Sequence, residues 1–490
     1  MKKFKPKKVH GRDWIDGYSL KIAAPLIEEA LLKLINSSIS LGKFARVWKQ
    51  QLIFPIHKKN EKDLLQNYRP VSHLVQVGTI IEIVVNKQIY EYFEKNNLFH
   101  PNQYGNIKNH STATAVLHVH EKWLEAADRN WLAASCYLDQ SAAYDLLCHT
   151  TLEKKLKLYK FDNLTIGWIM SYLSDRTQVV QVESKISDSI GGGKFAVPQG
   201  STIGGLMHGI SCNDLPACHD DEEDADGVVF VDDDTDTVTA PDLESLRNVI
   251  QIEATKSADW ISDNQLCVSG EKSKLMVIAN KSLRKSKVPH QISINIQGKE
   301  VMESANERLL GIVMNNSFSW KPHLYGDENN KGLVPQLSQR VGILKKLSHK
   351  MSKARLQVFS EGIFYSKIKY CMQVYGNVFN LERYKETGSR YSSFTVSANN
   401  DLQILQNKLN RIIINSRGTR AMSTRELCEM TKTLSVQQMI AVSTLSTALK
   451  ILRTGNLFSK FVMNNRRTAL IQKTRKCFYL MRGLSAEPSP

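Results

Sequence analysis

Hydrophobic positions follow helical spacing in both the amino-terminal and the carboxy-terminal parts of the chain. Apolar residues recur about every three or four positions over 22–39 and over 75–93, which predicts two long helices. Further on, apolar residues at 334, 337, 341, 344 and 347 are interleaved with arginine and lysine, which predicts an amphipathic helix with a basic outer face. The same spacing predicts helices over 354–379, 402–415 and 436–452, with a polar linker over 382–400.

The middle of the chain, residues 133–239, has a different pattern and is predicted to be rich in strands. The apolar run 133–138 predicts a strand that ends at Asp139, and residues 141–144 begin a helix-like stretch. Two further strands around a glycine turn are predicted at 177–182 and 195–197, with the turn at 191–193. The glycines are assigned to a turn because no phosphate-loop spacing follows them.

Residues 228–240 predict a strand, an acidic turn and a second strand. Carboxylates on a rigid hairpin suit Mg²⁺, because hard cations take oxygen ligands. Together with Asp139 this gives two strand-end carboxylate sites, which favours two-metal phosphoryl transfer. A solvated turn and a helix start at Asp139 are the open alternatives. The segment 220–226, with six carboxylates in seven residues, is predicted to be a solvated loop.

Composition and charge narrow the class of protein. The 490 residues suffice for about two or three domains, and hydrophobic and charged fractions of 42% and 23% are typical of a folded protein. A formal charge of +17 favours a polyanionic partner, either nucleic acid or an anionic membrane surface. No apolar run approaches the roughly 20 residues of a spanning helix, which argues against membrane and secretory proteins. The eight cysteines form no Cys-x-x-Cys pair and are predicted to be buried thiols in a reducing compartment.

Several short motifs follow one another in a characteristic order. They are Asn-Tyr-Arg-Pro-Val-Ser at 67–72, Pro-Asn-Gln-Tyr-Gly at 101–105 with Asn-His-Ser-Thr at 109–112, Tyr-Leu-Asp-Gln-Ser-Ala-Ala-Tyr-Asp at 137–145, Val-Pro-Gln-Gly-Ser at 197–201 and Phe-Val-Asp-Asp at 230–233. In this order they resemble the reverse transcriptases of non-LTR retrotransposons, and the jockey-like branch most of all. The resemblance is good over roughly the first two thirds of the chain and looser over the helical remainder.

The resemblance implies an α+β fold of the right-hand polymerase type. It divides the chain into fingers with amino-terminal helices at 1–132, a palm with an antiparallel sheet at 133–330, a helical thumb at 331–460 and a basic tail at 461–490. The implied activity is RNA-directed DNA polymerisation with dNTPs and Mg²⁺, with Mn²⁺ as a substitute. The implied partners are an RNA template, a DNA primer and the RNA–DNA hybrid, without a membrane; the oligomeric state is left open.

Matching the motifs position by position implies roles for individual residues. Asp139, Asp232 and Asp233 would bind the metal ions. Lys272, or Lys274 in its place, would protonate the leaving pyrophosphate. Tyr144 would hold its ring against the sugar of the incoming nucleotide and exclude a 2′-hydroxyl group, and a core tyrosine is the alternative.

The remaining implied residues bind the substrate. The contacts to triphosphate or template would come from Lys58 with its neighbour Lys59, Arg69 and Lys108, and those to the incoming nucleotide and template base from Gln199 and Gly200. For the lysines, a solvated surface position is nearly as good an interpretation.

The chain departs from the family in three places. In one of them, Asp234 and Asp236 crowd the metal hairpin. Where the family has Phe-Arg-Lys after Gln-Tyr-Gly, this chain has Asn106, Ile107 and Lys108. Unless Lys108 compensates, the lost arginine contact of about 1.5 to 3 kcal/mol would weaken nucleotide binding roughly tenfold or more. After Gly204 an apolar helix is expected, but small and polar residues interrupt it, namely Gly205, His208, Gly209 and Ser211. Glycine costs about 1 kcal/mol in a helix, so a less stable palm is predicted.

Alternatives to an active polymerase stay open. One is an inactive retrotransposon relic that only binds RNA; a less favoured one is a cellular RNA-binding or splicing protein, for which 461–490 is too short an added domain. Because the chain begins close to the fingers and shows no nuclease motif, a truncated element product is expected. An intracellular location is expected, in a cytoplasmic ribonucleoprotein and the nucleus, and the basic cluster 2–8 is either a nuclear signal or a solvated tail.

Overall fold

The computed structural model describes residues 8–58, 60–141, 143–376, 393–415 and 422–454. The helices in these ranges are α1 Gly17–Ser40, α2 Gln76–Lys95, α3 Thr112–Asp128, α4 His149–Leu158, α5 Asn163–Leu173, α6 Gly204–Ser211, α7 Leu243–Asp263, α8 Lys281–Lys287, α9 Lys321–Tyr325, α10 Leu333–Ser348, α11 Lys353–Ser360, α12 Ser366–Lys369, α13 Met372–Tyr375, α14 Ser393–Ile413, α15 Thr424–Thr431 and α16 Val436–Thr454. The strands are β1 Gln50–His57, β2 Tyr68–Leu74, β3 Leu132–Ser141, β4 Thr177–Val182, β5 Lys185–Ile186, β6 Ile190–Gly191, β7 Ala225–Phe230, β8 Asp233–Ala240, β9 Cys267–Val268, β10 Lys274–Ile278, β11 Ser293–Ile296, β12 Lys299–Met302, β13 Asn306–Leu309 and β14 Ile312–Asn315.

A five-stranded antiparallel sheet lies in the middle of the chain, with four strands in the order β10-β3-β8-β7 and β9 beside the end of β3. Successive side chains of a strand point to opposite faces. On β3, Leu138 and Cys136 pack into the same core as the apolar residues of α7. Ser135 points to the other face, where the indole of Trp123 on α3 donates a hydrogen bond to it at 2.8 Å. Helices therefore cover both faces of this sheet.

Two strands of this sheet were predicted from the sequence. The hairpin expected over 228–240 is confirmed as β7 and β8. The strand expected over 133–138 is also confirmed, but it continues to Ser141, so the helix expected to begin at 141–144 is wrong. Gln140 and Ser141 pair with β9, and this pairing keeps the backbone extended past Asp139.

A second sheet, in the order β2-β1-β4-β5 with β6 beside β4, belongs to the amino-terminal part. The helices predicted over 22–39 and 75–93 are confirmed as α1 and α2, and both contribute to an apolar core that α4, α5 and α6 share. The glycine turn is wrong, because Gly191 is part of β6 and pairs with Thr177. The expected strand 195–197 is reduced to a single bridge between Phe195 and Cys148.

The helical carboxy-terminal part packs on the α3 face of the central sheet and shares its core. Helices α10, α14 and α16 confirm three of the four predicted helices. The helix expected over 354–379 is broken into α11, a π-helical turn Glu361–Tyr365, α12 and α13. The linker expected over 382–400 is wrong where α14 begins, and its earlier residues and the tail 461–490 lie outside the described ranges.

Three smaller expectations have mixed outcomes. The acidic segment 220–226 is not wholly a solvated loop, since Asp226 lies in β7 and its carboxylate is 2.8 Å from Nε2 of His118. Every cysteine of the described ranges is a free thiol, but Cys267 is exposed and not buried. Within those ranges, no helix is both long and apolar enough to cross a bilayer.

Candidate active site

Three carboxylates meet at one end of the central sheet. Asp139 on β3 is the direct cross-strand partner of Asp233, the first residue of β8. Because directly opposed residues of an antiparallel pair share a face, both side chains leave the sheet on the same side. Asp232 comes directly before Asp233, in the two-residue turn between β7 and β8. The carboxylates that the sequence selected are therefore neighbours in space, although about ninety residues separate them along the chain.

The turn that carries Asp232 has a strained backbone. Val231, a β-branched residue, has a φ of 63°, in the left-handed region that such residues seldom adopt. Residues 102–104 run beside β7, with the Tyr104 amide donating to the carbonyl of Val229 at 2.8 Å. A Cβ atom on Gly105 would lie only 2.6 Å from the backbone nitrogen of Val231. The Gln-Tyr-Gly motif thus holds the turn in place by a backbone contact that only glycine allows.

The electrostatics of the three carboxylates suit a cation. Desolvation, followed by the charges of Asp232 and Asp139, raises the pKa of Asp233 to about 6. Oδ2 of Asp139 is buried and accepts no hydrogen bond, and the ammonium of Lys272 lies 3.2 Å from it. A divalent cation would relieve the repulsion among the three carboxylates more fully than this single ammonium does.

The described residues form no closed cage for a metal ion, since no group of three or more His, Cys, Asp or Glu side chains among them converges as a ligand set. Mg²⁺ in nucleotide-transferring sites usually takes only one or two carboxylates, and substrate phosphates and water complete its shell. The open arrangement of Asp139, Asp232 and Asp233 fits that mode of binding. These residues are compatible with a divalent metal ion.

Two further aspartates of β8 lie on the other face of the sheet. Asp234 and Asp236 are buried, opposite Leu138 and Cys136, which pack towards α7. Oδ1 of Asp236 lies 2.9 Å from Nε2 of His219, whose Nδ1 is 2.6 Å from the carboxylate of Glu253. The sequence suggested that both aspartates crowd the metal hairpin, and this is wrong. They form a separate buried ionic cluster.

A cleft of about 1150 Å³ opens over the three carboxylates. Nine of the ten residues selected from the sequence line it, namely Asp139, Asp232, Asp233, Lys272, Lys58, Arg69, Tyr144, Gln199 and Gly200. Lys59 lies outside the described ranges. The tenth, Lys108, does not line the cleft, because its ammonium lies 3.2 Å from Glu94 and its amide donates to the Tyr90 hydroxyl. The expectation that Lys108 substitutes for the missing arginine therefore has no support from its position.

The wall opposite the carboxylates is the loop that contains Gln199 and Gly200. The carbonyl of Gln199 accepts a hydrogen bond from the Ser72 amide of β2 at 2.9 Å. Its side-chain amide donates to both oxygens of Asp145, at 3.1 and 3.0 Å. Gly200 has a φ of 110°, and a Cβ atom there would lie 3.1 Å from the Ser72 carbonyl oxygen. The loop is therefore fastened to β2 and to the segment that follows β3.

Sequence reasoning missed three residues that support the walls of the cleft. Glu82 is buried on α2, and its carboxylate accepts from the Thr202 amide at 2.8 Å and from the Tyr172 hydroxyl at 3.1 Å. The available signal was a single carboxylate inside the apolar run 80–85. Asp145 lay within a quoted motif without a role, and His208 was noted only as an interruption of a helix. Tyr144 was expected on a first helical turn, but its segment is not helical.

Comparisons with known proteins agree with this geometry. A protein-family model described as reverse transcriptase (RNA-dependent DNA polymerase) matches residues 56–314. The RNA-directed DNA polymerase from mobile element jockey of Drosophila melanogaster is 24% identical over 376 residues, which cover 76% of this chain and 40% of that protein. The probable RNA-directed DNA polymerase from transposon BS of the same species is 26% identical over 357 residues, covering 72% and 38%. The chain thus spans about 40% of the length of these relatives.

Solved structures that the chain matches include telomerases. The telomerase from Candida tropicalis in complex with a fragment of telomeric RNA is 12% identical, with a TM-score of 0.41, and the match covers 80% of this chain and 65% of that one.

Proposed function

The chain belongs to the reverse transcriptase (RNA-dependent DNA polymerase) family, and on that premise we propose that it is the polymerase part of a non-LTR retrotransposon protein, which extends a DNA primer on an RNA template. The observation that carries this proposal is the placement of Asp139, Asp232 and Asp233 along one cleft whose walls include Tyr144 and the Gln199 loop. In-line nucleotidyl transfer needs carboxylates, a nucleotide wall and cationic groups around one reaction centre.

Asp139, Asp232 and Asp233 are the residues that would hold Mg²⁺. When bound there, Mg²⁺ supplies charge stabilisation for the attacking 3′-hydroxyl and the leaving pyrophosphate. Lys272 contributes a mobile ammonium beside Asp139, from which it can give a proton to the leaving pyrophosphate. Two thirds of its side chain is exposed, so it can leave Asp139 when substrate enters.

Lys58 and Arg69 bind the triphosphate or the template strand in this proposal. Lys58 directly follows β1, and Arg69 lies on the neighbouring strand β2, where it pairs with Ile56. Both residues line the cleft. Tyr144 excludes the 2′-hydroxyl group, and Gln199 and Gly200 contact the incoming nucleotide and the template base. Neither Ile107 nor Lys108 is assigned a substrate contact, since neither lines the cleft.

The domain division follows the same proposal. The amino-terminal sheet and helices act as fingers, the central sheet as palm and the helices after residue 331 as thumb. On α10, Lys345 and Lys346 are exposed, in keeping with a basic surface that follows the phosphates of an RNA–DNA hybrid.

Primer extension tests the proposal against the alternative of an RNA-binding relic. The purified chain is given a DNA primer on an RNA template, dNTPs and Mg²⁺, beside Asp139→Asn, and RNA binding is measured for both by fluorescence anisotropy. We expect extension by the wild type, loss of extension in Asp139→Asn and equal RNA binding by the two proteins. Absence of extension by a wild type that binds the primed template would contradict the proposal and favour the relic.

A further inference from the structure

The ring of Tyr144 stacks on the imidazole of His208. Their centroids are 5.1 Å apart and their planes differ by 19°. Tyr144 lies in a non-helical segment, where the Val197 amide donates to its carbonyl at 2.8 Å and fixes its backbone. That contact leaves the direction of the side chain to its packing. One face of the ring is in the cleft region, and the other is covered by His208 of α6.

His208 is an unusual residue at this place. Its side chain is fully buried, Nδ1 has no hydrogen-bond partner, and Nε2 lies 3.8 Å from Sγ of Cys212 one turn later. Burial lowers the pKa of His208 to about 4 against the opposing charge of Asp232, so the ring is uncharged at neutral pH. A buried imidazole with an unsatisfied nitrogen is unfavourable unless another contact offsets it. The stack on Tyr144 is the contact that the structure provides.

Gly205 lies in the helix turn before His208, where a Cβ atom would be 3.8 Å from the Tyr144 hydroxyl and 2.8 Å from Nδ2 of Asn106. The helix therefore passes close to the hydroxyl end of the ring, and His208 lies under its face. Removal of the imidazole would leave a space beneath the ring into which the phenol could tilt. Such a tilt would move the ring away from the sugar of a bound nucleotide.

We propose that His208 is a positioning residue that sets the plane of the Tyr144 ring and thereby the discrimination between dNTPs and rNTPs. This inference rests on the proposed function, in which Tyr144 meets the sugar. His208 itself touches neither substrate nor metal, since it does not line the cleft. Its flat ring supports the Tyr144 ring by stacking, so another flat side chain at position 208 should give the same support.

The test compares the ratio of kcat/KM for a dNTP and the matching rNTP in the wild type and five variants. Wild type should prefer the dNTP, and His208→Ala should lower the ratio about tenfold, the scale on which a small change of pocket shape acts. His208→Phe should restore it. Ile210→Ala, an equally buried truncation on α6, is the matched control and should leave the ratio unchanged. In the Tyr144→Ala background, His208→Ala should have no further effect.

Nucleotide binding to a complex stalled on a chain-terminated primer gives a second readout that needs no chemistry. A wild type that fails to extend primers but binds dNTP more tightly than rNTP, with the preference lost in His208→Ala, would sink the proposed function and keep this inference. An unchanged preference in His208→Ala, an equal loss in Ile210→Ala, or a wild type without any preference would overturn the inference.

Discussion

Asp139 and Asp233 are directly opposed on β3 and β8, and their side chains leave the central sheet on the same face. One register position along β8, Asp234 points to the opposite face and is buried under α7. A shift of one residue in this strand pair would exchange the two sets of carboxylates. Register is therefore what separates a candidate catalytic carboxylate from a structural one in the sequence Asp-Asp-Asp.

The backbone contact between Gly105 and Val231 gives a prediction on stability. Gly105→Ala should unfold at lower urea concentration and lose primer extension, because its Cβ atom would meet backbone at 2.6 Å and displace the turn that carries Asp232. Gly209→Ala is the matched control, since a Cβ atom there meets nothing within 4 Å inside α6. It should raise the free energy of unfolding by up to about 1 kcal/mol. Equal effects of the two substitutions would contradict the account of the turn.

The buried cluster around His219 predicts a dependence of stability on pH. Burial lowers the pKa of His219, but Asp236, Glu253 and Asp234 outweigh it and raise that pKa to about 10. Because the pKa of the folded state lies above the ordinary value near 6.5, the stabilisation is complete below about pH 6.5 and is lost as pH rises through about 10. The free energy of unfolding of the wild type, measured with urea, should therefore fall between pH 7 and 10. In His219→Gln the free energy of unfolding should be lower at pH 7 and flatter over this window, and parallel curves for the two proteins would refute the assignment.

Lys272 and Lys274 offer a matched pair for the proton donor. Only Lys272 lines the cleft, whereas Lys274 begins β10 and pairs with Tyr137 in the sheet. Lys272→Gln should lower kcat by about 10² to 10⁴ with little change in the KM for dNTP, as loss of a general acid does. Lys274→Gln should leave kcat nearly unchanged. Single-turnover incorporation of a dNTP measures the rate of the chemical step in both variants. A larger fall of this rate in Lys274→Gln would assign the proton donor to Lys274.

Arg69 lines the cleft and Lys108 does not, so the two residues allow a matched comparison of nucleotide binding. Arg69→Ala should raise the KM for dNTP roughly tenfold or more, the effect of losing a charged hydrogen bond of about 1.5 to 3 kcal/mol. Lys108→Ala should have little effect, because its ammonium is bound to Glu94 on the surface. Steady-state titration with dNTP gives both values. A strong effect of Lys108→Ala would mean that Lys108 leaves Glu94 and enters the cleft when substrate binds.

Sequence patterns were sufficient for the strands that carry the carboxylates, because the apolar run 133–138 and the run 228–231, rich in β-branched residues, encode local structure. The hairpin of Asp232 and the strand before Asp139 were both predicted. The continuation of β3 past Asp139 was not, since it depends on pairing with Cys267 and Val268 more than a hundred residues away. Local propensity at Ser141 carries no information on that partner.

The walls of the cleft were harder to predict for a similar reason. Motif matching selected Tyr144 and Gln199 but not the groups that hold them. Glu82 and His208 act through side-chain contacts across elements, and a lone polar residue in an apolar stretch does not say what it contacts. Lys108 was selected by its position in a motif. The motif does not show that the Lys108 ammonium contacts Glu94, which lies on α2.

The most direct test of the central claim uses two asparagine substitutions two positions apart on the same hairpin. Asp232 faces the cleft, and Asp234 faces the core with one carboxylate oxygen unpartnered and its pKa raised by burial and by Asp236. Primer extension on RNA with Mg²⁺ should be lost in Asp232→Asn, which removes a ligand charge, and retained in Asp234→Asn, which is close to a protonated carboxyl in shape and charge. Activity that survives Asp232→Asn and disappears in a folded Asp234→Asn protein would contradict the account.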